Sequence, residues 1–100
     1  MSQIMQREQA LTILSRLKPD LVKRFGVTRL ALFGSTVRNE AKPGSDVDIV
    51  IAFDDVATSE KYFGVQFLLE DELNPPVDLV TEKAMREELR PFIELEAINV

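Results

Sequence analysis

Three short constellations in this chain carry side chains able to do chemistry: Asp46-Val47-Asp48, Gly34-Ser35, and Asp78 within Val77-Asp78-Leu79-Val80. In an extended strand residues i and i+2 point to the same side, ~6.7 Å apart along the chain. Asp46 and Asp48 can therefore lean together onto one divalent cation or bridge two. Aspartate is depleted in strands, and two charges on one strand face call for a counter-charge; the competing account places both in a solvated loop. Gly34-Ser35 follows a run of large apolar residues. At the mouth of a helical turn, its backbone N–H groups, the positive end of the peptide dipoles and the serine hydroxyl make a cradle for phosphate. The same pair also serves as an ordinary strand-to-helix turn with a serine cap. Asp78 interrupts an apolar run, a local contradiction of the kind that collects at functional sites, or else a charge that guards an edge strand. If the strands carrying Asp48 and Asp78 are neighbours, the three carboxylates meet at cross-strand distance, ~5 Å between β-carbons. Such a cluster suits magnesium (Mg2+) better than calcium, because magnesium keeps waters and shares substrate phosphates. A phosphate cradle beside a metal site is equipment for phosphoryl or nucleotidyl transfer.

Composition removes most other chemistries. The 100 residues include no cysteine and no histidine, so there is no thiol nucleophile, thiolate zinc site, imidazole base or serine-histidine-aspartate triad. Seventeen acidic residues against 12 basic give a net charge of −5, which argues against non-specific binding to nucleic acid. The length fits one domain over residues 1–100, and 45% apolar content is that of an ordinary globular protein. No apolar run approaches the ~20 residues of a membrane span. The N-terminus MSQIMQREQA lacks the apolar segment of a signal peptide, so the expected location is the cytoplasm, away from membranes.

The elements that must position these residues follow from periodicity and punctuation. Ile4, Leu11, Leu14 and Leu17 predict an amphipathic helix that Pro19 interrupts. A short second helix is expected over Pro19–Phe25, ended by Gly26. VTRLALF, Val27–Phe33, reads as a buried strand stopped by Gly34. Ser35–Glu40 is expected to form a helical turn capped by Ser35, and residues 41–45, with Pro43-Gly44, a turn. Asp46–Phe53 predicts a second strand, residues 54–59 a loop, and Glu60–Leu73 a helix capped by Thr58 or Ser59, with Tyr62, Val65, Leu69 and Leu73 on one face. Val77–Val80 predicts a third strand, and Thr81 caps a last helical region, Glu82 to about Ala97, divided by Pro91. The fold class is therefore α/β (α+β): a small mixed β-sheet flanked by helices.

Gly34-Ser35, ten intervening residues, Asp46-x-Asp48 and a later strand aspartate, Asp78, together resemble the signature of the polymerase-β-like nucleotidyltransferase superfamily. The stretches LALFGSTVRNEAKPGSDVDIVIAF and PPVDLVTEKAMREELRPFIELEAINV resemble its minimal, MNT-type members. The resemblance implies that Asp46 and Asp48 bind magnesium, that Asp78 completes the metal site and helps activate the acceptor hydroxyl, and that Gly34 and Ser35 hold the triphosphate. Arg38 matches a recurrent family arginine able to reach a phosphate, with a salt bridge to Glu40 or Asp46 as the other account. Ser45 matches a family serine that also touches phosphate, or is a plain turn hydroxyl. Where many relatives have Ala-Arg-Gly, this chain has Val37-Arg38-Asn39; asparagine tolerates the left-handed conformation, so the turn can survive. Minimal members often act as antitoxins to a HEPN-domain ribonuclease, which implies transfer of AMP from ATP to a tyrosine hydroxyl of that toxin. The scattered basic residues agree better with a protein acceptor than with nucleic acid.

A second class of function stays open: a binding module that neutralises its toxin by occupying it, with acidic residues docking a basic partner. The last helical region, with Glu82, Glu87 and Glu88, is the candidate contact, unless that face is merely solvated.

Overall fold

The computed structural model describes residues 4–100. The first three residues, part of the expected domain and of the N-terminus read as lacking a signal peptide, lie outside that range. Helix α1 spans Arg7–Phe25 and leads into strand β1, Val27–Phe33. A 3-10 turn at Gly34–Thr36 and a loop lead to β2, Val47–Phe53, followed by α2, Ser59–Leu73, and β3, Val77–Thr81. A 3-10 turn at Glu82–Ala84 precedes α3, Arg90–Glu96, and a two-residue strand β4, Ile98–Asn99. The sheet order is β3-β2-β1-β4. β1 is antiparallel to β2 and β4, and β2 is parallel to β3, with α2 as the crossover that a parallel pair requires. This is the small mixed sheet with helices that the residue pattern predicts.

Strand alternation divides the core into two layers. On one face Leu30, Leu32, Val47, Ile49, Ile51, Val77 and Leu79 pack against Ala10, Leu14, Leu17 and Leu21 of α1 and Val65, Leu69 and Leu73 of α2. On the other, Ala31 and Val50 pack with Met85, joined by Phe33, Val80, Ile93 and Ala97. Because both faces are covered, β2 reads as a nearly continuous apolar run, with aspartate only at its start.

Three expectations need correction, and one element is new. The two helices predicted either side of Pro19 are one helix, with Pro19 inside α1. Proline lacks the N–H that would bond the Ser15 carbonyl, but both residues are exposed, so water can satisfy that carbonyl. The buried leucines Leu17 and Leu21 on either side hold the helix together. Ser35 is not an N-cap: Phe33 occupies that position, without a side-chain bond, and Ser35 lies within the turn. The last helical region breaks after Ala84, and Pro91 sits in the first turn of α3 rather than dividing a longer helix. The β4 strand was not anticipated, since two residues carry no periodic signal. Other caps behave as predicted. Thr58 accepts from the Lys61 N–H, and Gly26, at φ 71°, closes α1 with bonds to Leu21 and Val22 carbonyls.

The end of the chain is pinned by Arg29. Its guanidinium donates to both Glu94 carboxylate oxygens at 2.6 and 2.9 Å and to Glu82 at 3.1 Å, while Nε reaches Asn99 Oδ1 at 2.9 Å. Arg29 is largely buried, and these carboxylates raise its pKa further above an already high value. A forked pair of this kind fixes orientation as well as charge, so α3 and β4 are held against β1.

Candidate active site

β2 and β3 run parallel with Asp48 paired directly to Asp78. Paired residues in a parallel sheet project to the same side, here the side of Ala31, Val50 and Met85 rather than that of α1 and α2. The two carboxyl groups are therefore close enough for Asp78 to act on the protonation of Asp48. Burial first, then the charges of Asp78 and Asp46, push the Asp48 carboxyl up to about 6, and Arg38 offsets only part of this. Asp78 is exposed, and Asp46 is exposed just before β2 begins. The predicted counter-charge is thus not supplied in full by the protein.

The Gly34-Ser35 turn meets this pair directly. Phe33, the last residue of β1, is in register with Asp48, so the chain enters the turn beside the carboxylates. Gly34 has φ 79°, and a β-carbon there would lie 2.1 Å from Asp48 Oδ2. Only glycine allows both the left-handed backbone and that contact. The loop then closes on itself: the Glu40 N–H bonds the Ser35 carbonyl at 2.8 Å and the Asn39 N–H the Thr36 carbonyl at 3.1 Å. Asn39 takes the left-handed conformation expected of it, at φ 55°. Its Oδ1 accepts from the Arg7 N–H at 3.0 Å, which ties the loop to the start of α1.

The remaining predicted residues divide. Among the described residues no hydrogen-bond partner is seen for the half-buried Ser35 hydroxyl, which leaves it available to a ligand. Ser45 Oγ accepts from the Lys42 N–H at 3.0 Å, the turn role, while its own proton remains free to donate. Arg38 forms the anticipated salt bridge to Glu40, at 2.5 Å, and none to Asp46. It also reaches Glu96 at 2.6 Å. Glu96 was not anticipated, and no spacing signals it: it lies in α3, 62 positions from Gly34, whose N–H it accepts at 2.9 Å. Glu82, a candidate docking residue, is engaged by Arg29, and Glu87 and Glu88 fall before α3 rather than on it. Thr36 Oγ1 is buried with no hydrogen-bond partner.

The donors suit a hard divalent cation in kind, since all are carboxylate oxygens, with Arg38 offsetting only part of the charge around Asp48. Among the described residues no three of them stand as a ready-made cage. Magnesium is usually held by one or two carboxylates plus substrate phosphates, so the Asp48–Asp78 pair with Asp46 alongside meets the requirement. A groove of about 530 Å³ between the start of α2 and β3, lined by Tyr62, Phe63, Leu79 and Thr81, contains none of the three aspartates. The chain's one tyrosine is engaged there: the Tyr62 hydroxyl donates to the Leu79 carbonyl at 2.5 Å, and burial together with Asp78 raises its pKa.

Comparison with known proteins shows the family and the fold. A family model described as a nucleotidyltransferase domain matches residues 14–99. The chain is 36% identical over 93 residues to the protein adenylyltransferase MntA of Thermococcus cleftensis, covering 93% of this chain and 94% of that one. A solved structure described as a minimal nucleotidyltransferase superposes with a TM-score of 0.77 at 33% identity, covering 96% and 97% of the two chains. The fold also matches, at TM-score 0.67 and 18% identity, over 94% of this chain and 71% of the other, a structure of the tri-AMPylated Shewanella oneidensis HEPN toxin in complex with MNT antitoxin.

Proposed function

The chain belongs to the nucleotidyltransferase domain family, and from that premise we propose that it transfers AMP from ATP to a tyrosine hydroxyl of a partner HEPN ribonuclease and so neutralises that toxin. The observation that supports this is the close approach of Gly34 to Asp48, which sets the proposed phosphate cradle beside the carboxylates.

The Gly34 N–H, the Ser35 and Ser45 hydroxyls and the Arg38 guanidinium hold the phosphate chain, each as a donor to anionic oxygen. Asp46, Asp48 and Asp78 would hold magnesium, which when bound neutralises charge on the phosphate oxygens and lowers the pKa of a coordinated hydroxyl. Asp78, exposed at the rim, accepts the proton of the acceptor hydroxyl as its oxygen bonds to the α-phosphorus and pyrophosphate leaves. Asp48 beside it is half-buried and held in register with Asp78 by the strand pairing. The acceptor comes from another protein, since Tyr62 is committed to the Leu79 carbonyl. The whole chain serves as a single minimal domain acting in the cytoplasm, without nucleic acid. Among the described residues no helix is long and apolar enough to cross a membrane.

The test is neutralisation of the toxin in purified components with and without ATP and magnesium, by the parent protein and by the double variant Asp46→Asn, Asp48→Asn. Neutralisation that requires ATP and magnesium and fails in the folded double variant supports transfer. Neutralisation that needs neither, and survives in the double variant, supports a module acting by occupancy.

A further inference from the structure

Two donors of the cradle are already taken by one side chain. Glu96 Oε1 accepts the Gly34 N–H at 2.9 Å, and Glu96 Oε2 accepts from Arg38 Nη1 at 2.6 Å. Carboxylate and phosphate oxygens satisfy backbone N–H groups and guanidinium forks in the same geometry, so Glu96 sits as an anion would. We propose that Glu96 is a displaceable stopper on the cradle, holding its donors in place until a phosphate chain expels it. This rests on the nucleotidyltransferase reading of the Gly34 turn.

The surroundings suit displacement by side-chain rotation. α3 is anchored through Glu94 to Arg29 and through Ile93 to the Ala31–Val50 layer, so the helix stays put while the Glu96 side chain, 25% exposed, swings out. Arg38, 49% exposed, keeps a second tether, Nε to Glu40 Oε1 at 2.5 Å. Once Glu96 leaves, that tether holds the guanidinium in position with Nη1 free for phosphate. If Glu96 stayed, its carboxylate would face the phosphate oxygens, and like charges at an interface oppose binding. With Glu96 in place the cradle stays preorganised and its donors satisfied, at a cost in nucleotide affinity.

The opposite account makes Glu96 a positioning residue that aims Arg38 at the nucleotide, and the two differ in sign. The experiment is titration calorimetry of the full chain, Glu96→Gln and Glu96→Ala with AMP-PNP and magnesium, repeated with inorganic tripolyphosphate. Thermal unfolding checks that each variant is folded, and Glu96→Ala carries the test should Glu96→Gln not fold. A stopper predicts that the variants bind both ligands more tightly, by roughly fivefold or more, at the low end of typical coupling between linked equilibria. Unchanged or weaker binding by the folded variants, while the parent binds AMP-PNP, overturns the stopper and leaves nucleotide binding standing. A gain with AMP-PNP but none with tripolyphosphate also overturns it, because Glu96 would then act on the nucleoside. No AMP-PNP binding by parent or variants overturns both the stopper and the function it rests on.

Discussion

Gly34 and Asp48 share one space: the β-carbon that any other residue would place at position 34 falls 2.1 Å from Asp48 Oδ2. Strand pairing brings them there, since Asp48 is opposite Phe33 at the end of β1. The glycine therefore does two things at once. It turns the backbone at positive φ so that an N–H faces the cradle, and it leaves room for the carboxylate.

Gly34→Ala should damage activity more than stability. The positive φ and the clash together cost on the order of 1–3 kcal/mol, which the domain can survive, but relief requires moving either Asp48 or the cradle. We expect a folded protein with a lowered melting temperature and adenylyl transfer reduced by at least about a hundredfold, as for small misplacements at reacting centres. Circular dichroism melting and a transfer assay check the two separately.

Asp48→Asn should stabilise the metal-free protein at neutral pH. The folded-state pKa of Asp48 stands at about 6 against an ordinary 3.8, so the folded chain holds that proton more tightly than the unfolded one. Stability from this group is greatest below about pH 4, falls as pH rises towards 6, and stays low above it. Discounted for solvent screening, the effect is about 1 kcal/mol. Melts in chelator should show the variant more stable than the parent at pH 7, with the gap closing as pH falls to 4. A gap that is absent or widens towards low pH contradicts the assignment.

Thr36→Val should also stabilise. Thr36 Oγ1 is buried without a partner in the cradle turn, and valine has the same shape without the hydroxyl. Relief of an unpaired buried group is worth ~1 kcal/mol or more, which raises the melting temperature of a domain this size by about 4–8 °C. Denaturant unfolding gives the sign directly.

Much of this arrangement was legible in the residues themselves. Strand boundaries at Val27–Phe33 and Val77 follow from apolar runs ended by glycine or begun after Pro75-Pro76. Asp78 stands out in the sequence because a charge in a short apolar strand is a local contradiction, and the sheet sets it in register with Asp48. Local rules failed where long-range contacts decide. Pro19 reads as a break, yet Leu17 and Leu21 are buried on one side of α1 and carry the helix through. Ser35 reads as a cap, but the turn begins at Gly34 and Phe33 takes the cap position. Glu96 is invisible in sequence because its partners, Gly34 and Arg38, reach it only through the docking of α3. For the same reason the pairing of Glu82 with Arg29 is not legible in the sequence.

The most direct measurement is the intact mass of a HEPN-type partner after incubation with this protein, ATP and magnesium, with the Asp46→Asn, Asp48→Asn variant in parallel. The account predicts a gain of one or more AMP units on the partner, located on tyrosine and absent with the folded variant. A stable complex with no change in the partner's mass, or an AMP gain that survives loss of both carboxylates, would contradict it.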